Sequence, residues 1–440
     1  MLAYRAGKPI LVRQFLADVG RVGAVLGGGA HVLNLCADRY RFAVGLAAAL
    51  LAGKTSLLPP TRTPEVIAHL RRFAPDACCL TDQDPCEVEL PLVRFPEAAA
   101  AAGHGESITP APPPGIEASQ RAAWVFTSGS TGSPVPHGKT FGKLLRCMRV
   151  EAQRLGLPVG VSHALVSTVP PQHMYGFEAS VLLPLSNGHA LSAERPFYPA
   201  DICAALAAVP RPRVLVSTPL HLRALLTAGL PVPEMDLVVS ATAPLSAELA
   251  REVEQRARTR LLEIYGSTET GSIAARRTTE TAEWRLWPGV TLEQRSGETW
   301  AHGGHIEQPT RLCDVIEVTG ADRFLLHGRE ADLVNIAGKR SSLAYLNHQL
   351  NSIPGVLDGA FFHGDPGAGE AVVTRVGACV VAPGLDAAAI AAELRRRIDP
   401  VFLPRPLLLV ASLPRTPTGK LPAQALRRLA TAQPKPSPAG

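Results

Sequence analysis

TSGSTGSP, residues Thr127–Pro134, follows an apolar run, AAWVF (Ala122–Phe126), that reads as a buried strand. Hydroxyls and glycines are packed here at a density no core would choose. Gly129 and Gly132 permit turns closed to side chains, while Ser128, Ser130, Thr131 and Ser133 offer donors to an anion. A second segment, LPRTPTGK (Leu413–Lys420), sets one lysine on a Thr-Gly turn near the end of the chain. Together they imply a polyphosphate held by one domain and activated by a lysine from another.

A phosphate-loop kinase is the obvious competitor, because GKT occurs at Gly138–Thr140. That motif requires GxxxxGK[ST], and the position that would restore the spacing is Ser133. Pro134 and Pro136 also lack the amide hydrogens such a loop must aim at phosphate. TSGSTG taken alone would equally suit an ordinary Gly/Ser surface turn. The decision rests on the rest of the chain.

Its 440 residues, 46% hydrophobic and 19% charged, indicate a globular protein of two or more domains. The longest apolar run, Phe42–Ala52, is too short to span a bilayer, and MLAYRAGKPILVRQF lacks the core of a signal peptide. Eight cysteines show no metal spacing, so free thiols and a cytoplasmic location are expected. From Arg329 onward 13 Lys/Arg face 8 Asp/Glu, so most of the net +6 sits in the last quarter, where it would attract an acidic partner. Nothing interleaves aromatic and basic residues as a nucleic-acid interface would.

Short apolar runs alternate with helical periodicity over the first three hundred residues. HVLNLC (His31–Cys36), RVLVST (Arg213–Thr218), MDLVVS (Met235–Ser240) and LLEIYG (Leu261–Gly266) read as strands. Arg39–Gly53 reads as a buried helix ended by glycine, and Thr63–Phe73 as one opened by Thr-Pro-Glu. This rhythm predicts parallel or mixed sheets flanked by helices. Ala98–Pro114 reads as a surface connection, and the tail 433–440 as disordered.

Four further segments fix the family. In order with TSGSTG, PPQHMYGFE (Pro170–Glu178), EIYGSTETG (Glu263–Gly271), the stretch from Cys313 through HGREADLVNIAGKR (His327–Arg340), and LPRTPTGK resemble the adenylate-forming superfamily of acyl-CoA synthetases, aryl-acid ligases and peptide-synthetase adenylation domains. The resemblance spans about residues 30–430. It implies an α/β fold, with a large N-terminal domain (1–328) of layered α/β subdomains and a small mobile α+β C-terminal domain (329–432).

It also implies roles, all as expectations. Thr127, Ser128, Gly129, Ser130, Thr131 and Gly132 match the loop around the β- and γ-phosphates of ATP. Tyr265, followed by Gly266, matches the residue packing on adenine; Thr268 matches a donor to the α-phosphate, and Glu269 the Mg²⁺ ligand. Ser240, Ala241 and Thr242 match the adenine-side loop, where glycines are more usual and a less open backbone is therefore expected. Asp314 and Arg329 match the ribose contacts, although Leu312-Cys313 replaces the usual Thr-Gly before the aspartate. His173, Met174, Tyr175 and Phe177 match the wall of the acyl pocket; Met174, where enzymes for ortho-hydroxylated aryl acids carry asparagine, argues against such a substrate. Lys420 matches the lysine bridging carboxylate and α-phosphate. Val135 stands where a phosphate-loop lysine is usual, with Lys139 as a possible substitute, and Ala331 occupies the usual hinge position.

The implied function is an ATP-dependent acid–thiol ligase that forms an acyl-AMP with Mg²⁺, releases pyrophosphate, and then acylates a thiol. PVPHGK and the compact chain resemble AMP-ligases of aryl polyene and xanthomonadin pigment pathways, which implies a hydroxybenzoate-type acid and an acyl carrier protein as acceptor. The alternatives are an aryl- or fatty-acyl-CoA ligase, and a non-catalytic homologue serving as a scaffold.

Overall fold

The computed structural model describes residues 1–59, 61–97, 115–128, 134–157, 159–329, 333–336, 339–363, 375–416 and 421–432. Ala98–Pro114, Gly129–Gly132, Ala331, Lys420 and the tail 433–440 lie outside them. The chain divides into two compact units, residues 1–292 with 301–310, and residues 293–300 with 311–440. The division expected at 328/329 falls inside the second unit. The strand Arg323–Arg329, paired with Asp314–Gly320, packs there against the helix Leu343–Asn351.

The first unit is built on two sheets. In the smaller, strands run in the order Leu92–Arg94, Cys78–Thr81, His31–Asn34, Thr55–Leu58, Arg121–Ser128, Pro134–Thr140. All pairings are parallel except the last. Helix Pro64–Phe73 covers one face, burying Ile67 and Leu70 against Leu33, Leu57, Cys79 and Phe126. It begins at the proline as expected, yet the Thr63 side chain makes no capping bond. Pro134–Thr140 is the edge strand, which is why it tolerates two prolines that cannot donate to a ladder.

In the larger sheet, Trp284–Leu286, Gly271–Arg276, Arg260–Ser267, Leu237–Ser240, Arg213–Ser217, Ala164–Ser167, Ala190–Ser192, Ala3–Arg5 and Lys8–Ile10 follow one another. The five strands from Arg260–Ser267 to Ala190–Ser192 are parallel. Helices Pro199–Ala208, Pro219–Thr227 and Ala247–Arg256 bury Ile202, Leu222 and Val253 on Val166, Leu215, Val238 and Leu261. Ligands of open α/β sheets bind beyond the carboxyl ends of parallel strands. Three wholly buried serines, Ser167, Ser217 and Ser240, close those ends here.

The second unit is α+β. A sheet of Asp358–His363, Val376–Val381 and Leu407–Leu409 carries Phe361 toward Leu346, Ile390 and Leu394, and Phe362 toward Leu408 and Leu426. The strand period of two sends adjacent phenylalanines to opposite faces. Arg415 binds Asp358 through two bonds of 2.7 Å, anchoring the segment that leads to Lys420.

Candidate active site

EIYGSTETG forms a β-hairpin. Strand Arg260–Ser267 turns back as Gly271–Arg276, with Ser267 opposite Gly271 and a register shift at Tyr265/Gly266. The turn is closed from within: the Ser267 amide donates to Thr270 Oγ1 at 3.2 Å, and the Thr270 amide to Ser267 Oγ at 3.2 Å. Both glycines are required. A Cβ on Gly266 would meet the Gly271 carbonyl at 2.3 Å, and Gly271 sits at φ +74°. Thr268 and Glu269 are thereby held at the tip. Tyr265, half-buried, lies 5.6 Å from the Trp284 ring, and Arg276 covers the other ring contact of Trp284 at 4.4 Å.

PVPHGKT supplies the neighbouring face. It pairs antiparallel with Arg121–Ser128, Thr127 opposite Val135. Alternation puts Val135, His137 and Lys139 on one side of the strand. His137 Nε2 lies 3.0 Å from Thr127 Oγ1 and 3.7 Å from Glu269 Oε1. Burial lowers the His137 pKa, with Lys139 adding to the effect and Glu269 opposing it. The structure thus brings Thr127 and Glu269 together through a histidine to which the sequence reading gave no role. Lys139 is 4% exposed, and its ammonium donates to the Glu269 carbonyl at 2.6 Å. Val135 itself is exposed.

The loop expected on the adenine side follows the strand Leu237–Ser240, and in it Thr242 takes φ +78°. That left-handed conformation is sterically costly for a threonine. Ser240 is fully buried, and Ala241 nearly so. Glu263 ties this loop to the Tyr265 strand. Its carboxylate accepts from the Leu245 amide at 3.1 Å, Arg276 Nε at 2.8 Å and Thr278 Oγ1 at 2.9 Å. Burial raises its pKa, and Arg276 limits the rise.

His173, Met174, Tyr175 and Phe177, the residues expected at the acyl pocket, lie at the start of and within a short helix, Met174–Phe177, that continues through a π-turn at Glu178–Leu182. Such turns widen a helix and recur at functional sites. His173 is the N-cap residue, and Phe177 is wholly buried. The Tyr175 hydroxyl donates to the Val239 carbonyl at 3.0 Å, joining this wall to the strand that leads into Ser240. Beneath the wall lies Arg39, 0% exposed. Its guanidinium donates to Ser180 Oγ and to the carbonyls of Ser167, Val169, Ser192 and Glu194, at 2.6–3.1 Å.

In the second unit, Asp314 and Arg329 are direct cross-strand partners. The two residues expected at the ribose, fifteen positions apart in sequence, are therefore neighbours across one hairpin. Gly129, Ser130, Thr131, Gly132 and Lys420 lie outside the described residues.

The profile of the AMP-binding enzyme family matches residues 12–298, and the chain belongs to that family. A 4-coumarate–CoA ligase of Rhodobacter capsulatus is 31% identical over 312 residues, covering 69% of this chain and 75% of the relative. That of Cereibacter sphaeroides is 30% identical over 311 residues, covering 68% and 70%. Among solved structures, ATP-bound MatB from Rhodopseudomonas palustris superposes with TM-score 0.77 at 20% identity, covering 97% of this chain and 95% of that one. MenE from Bacillus subtilis, with an acyl-adenylate, gives 0.79 at 17% identity over 97% and 95%. The chain is an enzyme of the adenylate-forming ligase class. Among the described residues no helix is long and apolar enough to cross a membrane.

Proposed function

We propose that this enzyme activates an aryl acid of the hydroxybenzoate type as acyl-AMP and passes it to the phosphopantetheine thiol of an acyl carrier protein. The observation that carries the adenylation half is the convergence of Thr127, His137 and Glu269 at the hairpin tip. A carboxylate oxygen attacks the α-phosphorus, the bond to the β-phosphate oxygen breaks, and pyrophosphate leaves. Thr268 donates to the α-phosphate, Tyr265 packs on adenine, and Asp314 and Arg329 hold the ribose. His173, Met174, Tyr175 and Phe177 wall the acid. In the second half-reaction the thiolate attacks the acyl carbon and AMP leaves.

Glu269 fits a Mg²⁺ ion. Its carboxylate is 38% exposed at the tip of a fixed turn. Among the described residues no three of His, Cys, Asp and Glu gather to hold a metal alone. Magnesium prefers such a setting, one carboxylate completed by phosphate oxygens and retained water, and it neutralises polyphosphate charge. Glu269→Gln is expected to raise the Mg²⁺ needed for half-maximal ATP–pyrophosphate exchange by about tenfold with the fold intact. An unchanged Mg²⁺ titration would assign the metal to other residues.

The acceptor is supported by the resemblance to compact pigment-pathway AMP-ligases and by the basic last quarter of the chain. Arg395 and Arg396 are exposed there, whereas Arg397 is half-buried against Glu393. A second reading, free CoA as acceptor, is favoured by the relatives named as 4-coumarate–CoA ligases. Both acceptors present the same thiol and anionic phosphate. The test offers 3- and 4-hydroxybenzoate, cinnamate and a medium-chain fatty acid, each with CoA or with a holo-carrier protein. Carrier acylation outpacing CoA, and slowed in Arg395→Glu/Arg396→Glu without loss of exchange, is expected, since surface charge acts mainly on encounter. Turnover with CoA and none with any carrier would establish the second reading.

A further inference from the structure

Lys139, Glu178, Glu151 and His305 meet beneath the Ser267–Gly271 turn, and none of them belongs to the nucleotide-contacting set described above. Each is at most 8% exposed. A buried ammonium is stable only with compensation. Lys139 has one hydrogen bond to a carbonyl, that of Glu269, and its chief compensating charge is Glu178. Glu178 in turn accepts from the Ser272 amide at 3.1 Å, while its other oxygen lies 2.6 Å from where a Cβ on Gly271 would stand. One face of the turn is therefore gripped twice. The Lys139 ammonium holds the carbonyl of residue 269, and the Glu178 carboxyl group holds the amide of residue 272, from two different elements. Ser272 is held again from its hydroxyl, which donates to Glu151 at 2.5 Å.

We propose that Lys139 is a positioning residue for the metal-binding turn, with Glu178 as its counter-charge: by fixing the Glu269 carbonyl it sets the direction in which the Glu269 carboxylate leaves the turn. The Lys139 side chain is buried and its ammonium binds the Glu269 carbonyl, so it acts through Glu269. This rests on the reading of Glu269 as the Mg²⁺ ligand. A lysine serving only to fill the core would leave metal affinity alone, because a buried ion pair replaced by apolar groups is often neutral in stability.

The test uses the full chain carrying Lys139→Met with Glu178→Gln, which removes both charges and strands neither. Calorimetric binding of Mg·ATP and of metal-free AMP needs no knowledge of the acid. The expected result is Mg·ATP binding weakened about tenfold, with AMP binding unchanged within about twofold, the pattern of a lost outer support for a metal ligand. Lys139→Arg, which keeps a donor, is expected to restore most of the difference. Equal weakening of both ligands, no weakening of either, or failure of the double variant to fold would each overturn the proposal in favour of a purely structural lysine. Absence of Mg·ATP binding by the unsubstituted chain would instead count against the nucleotide site itself.

Discussion

Lys420→Ala is expected to lower ATP–pyrophosphate exchange by about 10²–10³-fold, the scale of removing one preorganised donor from a developing charge. Attack of one anion on another is the step that needs a cation, and thiolysis of a neutral acyl carbon is not. Transfer from a preformed acyl-adenylate to the thiol should therefore survive in the same variant. A lysine ammonium on its aliphatic stem can neutralise charge in one half-reaction and withdraw in the other. The two-bond ion pair of Arg415 with Asp358 holds the approach to this lysine independently of its side chain, so the substitution should not disturb the unit. Equal loss in both half-reactions, measured separately, would remove the special role of Lys420 in adenylation.

The second large effect concerns stability. Arg39→Met should lower the unfolding free energy by about 3–5 kcal/mol, the range for stripping one partner from a buried charged network. The guanidinium is out of solvent and donates to four carbonyls and a hydroxyl drawn from several separate segments. Burial moves its pKa down only to about 10, so it remains a cation at neutral pH. Methionine fills the stem but leaves the carbonyls of Ser167, Val169, Ser192 and Glu194 without this donor. Because Val169 leads directly into PPQHMYGFE, the loss should also loosen the acyl wall. Urea titration of the two proteins measures it, and a difference below about 1 kcal/mol, the net value of a single ordinary hydrogen bond, would contradict the assigned role.

Most of the elements were legible because their signals are local. The strand Leu237–Ser240 and the helix Arg39–Leu51 each follow from apolar period or glycine placement. Thr242 shows the limit of that logic. Its sequence position carries no glycine, yet the fold holds it at φ +78°, a conformation that glycine takes more freely. Glu178 gave a faint signal, a carboxylate inside the apolar run GFEASVLLPL, with no hint of what it would bind.

What the sequence by itself determined is the family, the order of the motifs and the chemistry those motifs imply, because each is written in a contiguous stretch whose backbone must satisfy itself locally. Only the tertiary structure decided where the isolated charges go. Lys139 meets a carbonyl 130 residues away, and Arg39 bonds groups up to 155 residues away. A buried charge must find partners wherever the fold brings polar atoms, and sequence separation carries no information about that meeting. The same physics makes His137 a neighbour of Glu269 and leaves Val135, two residues earlier on the same side of its strand, exposed.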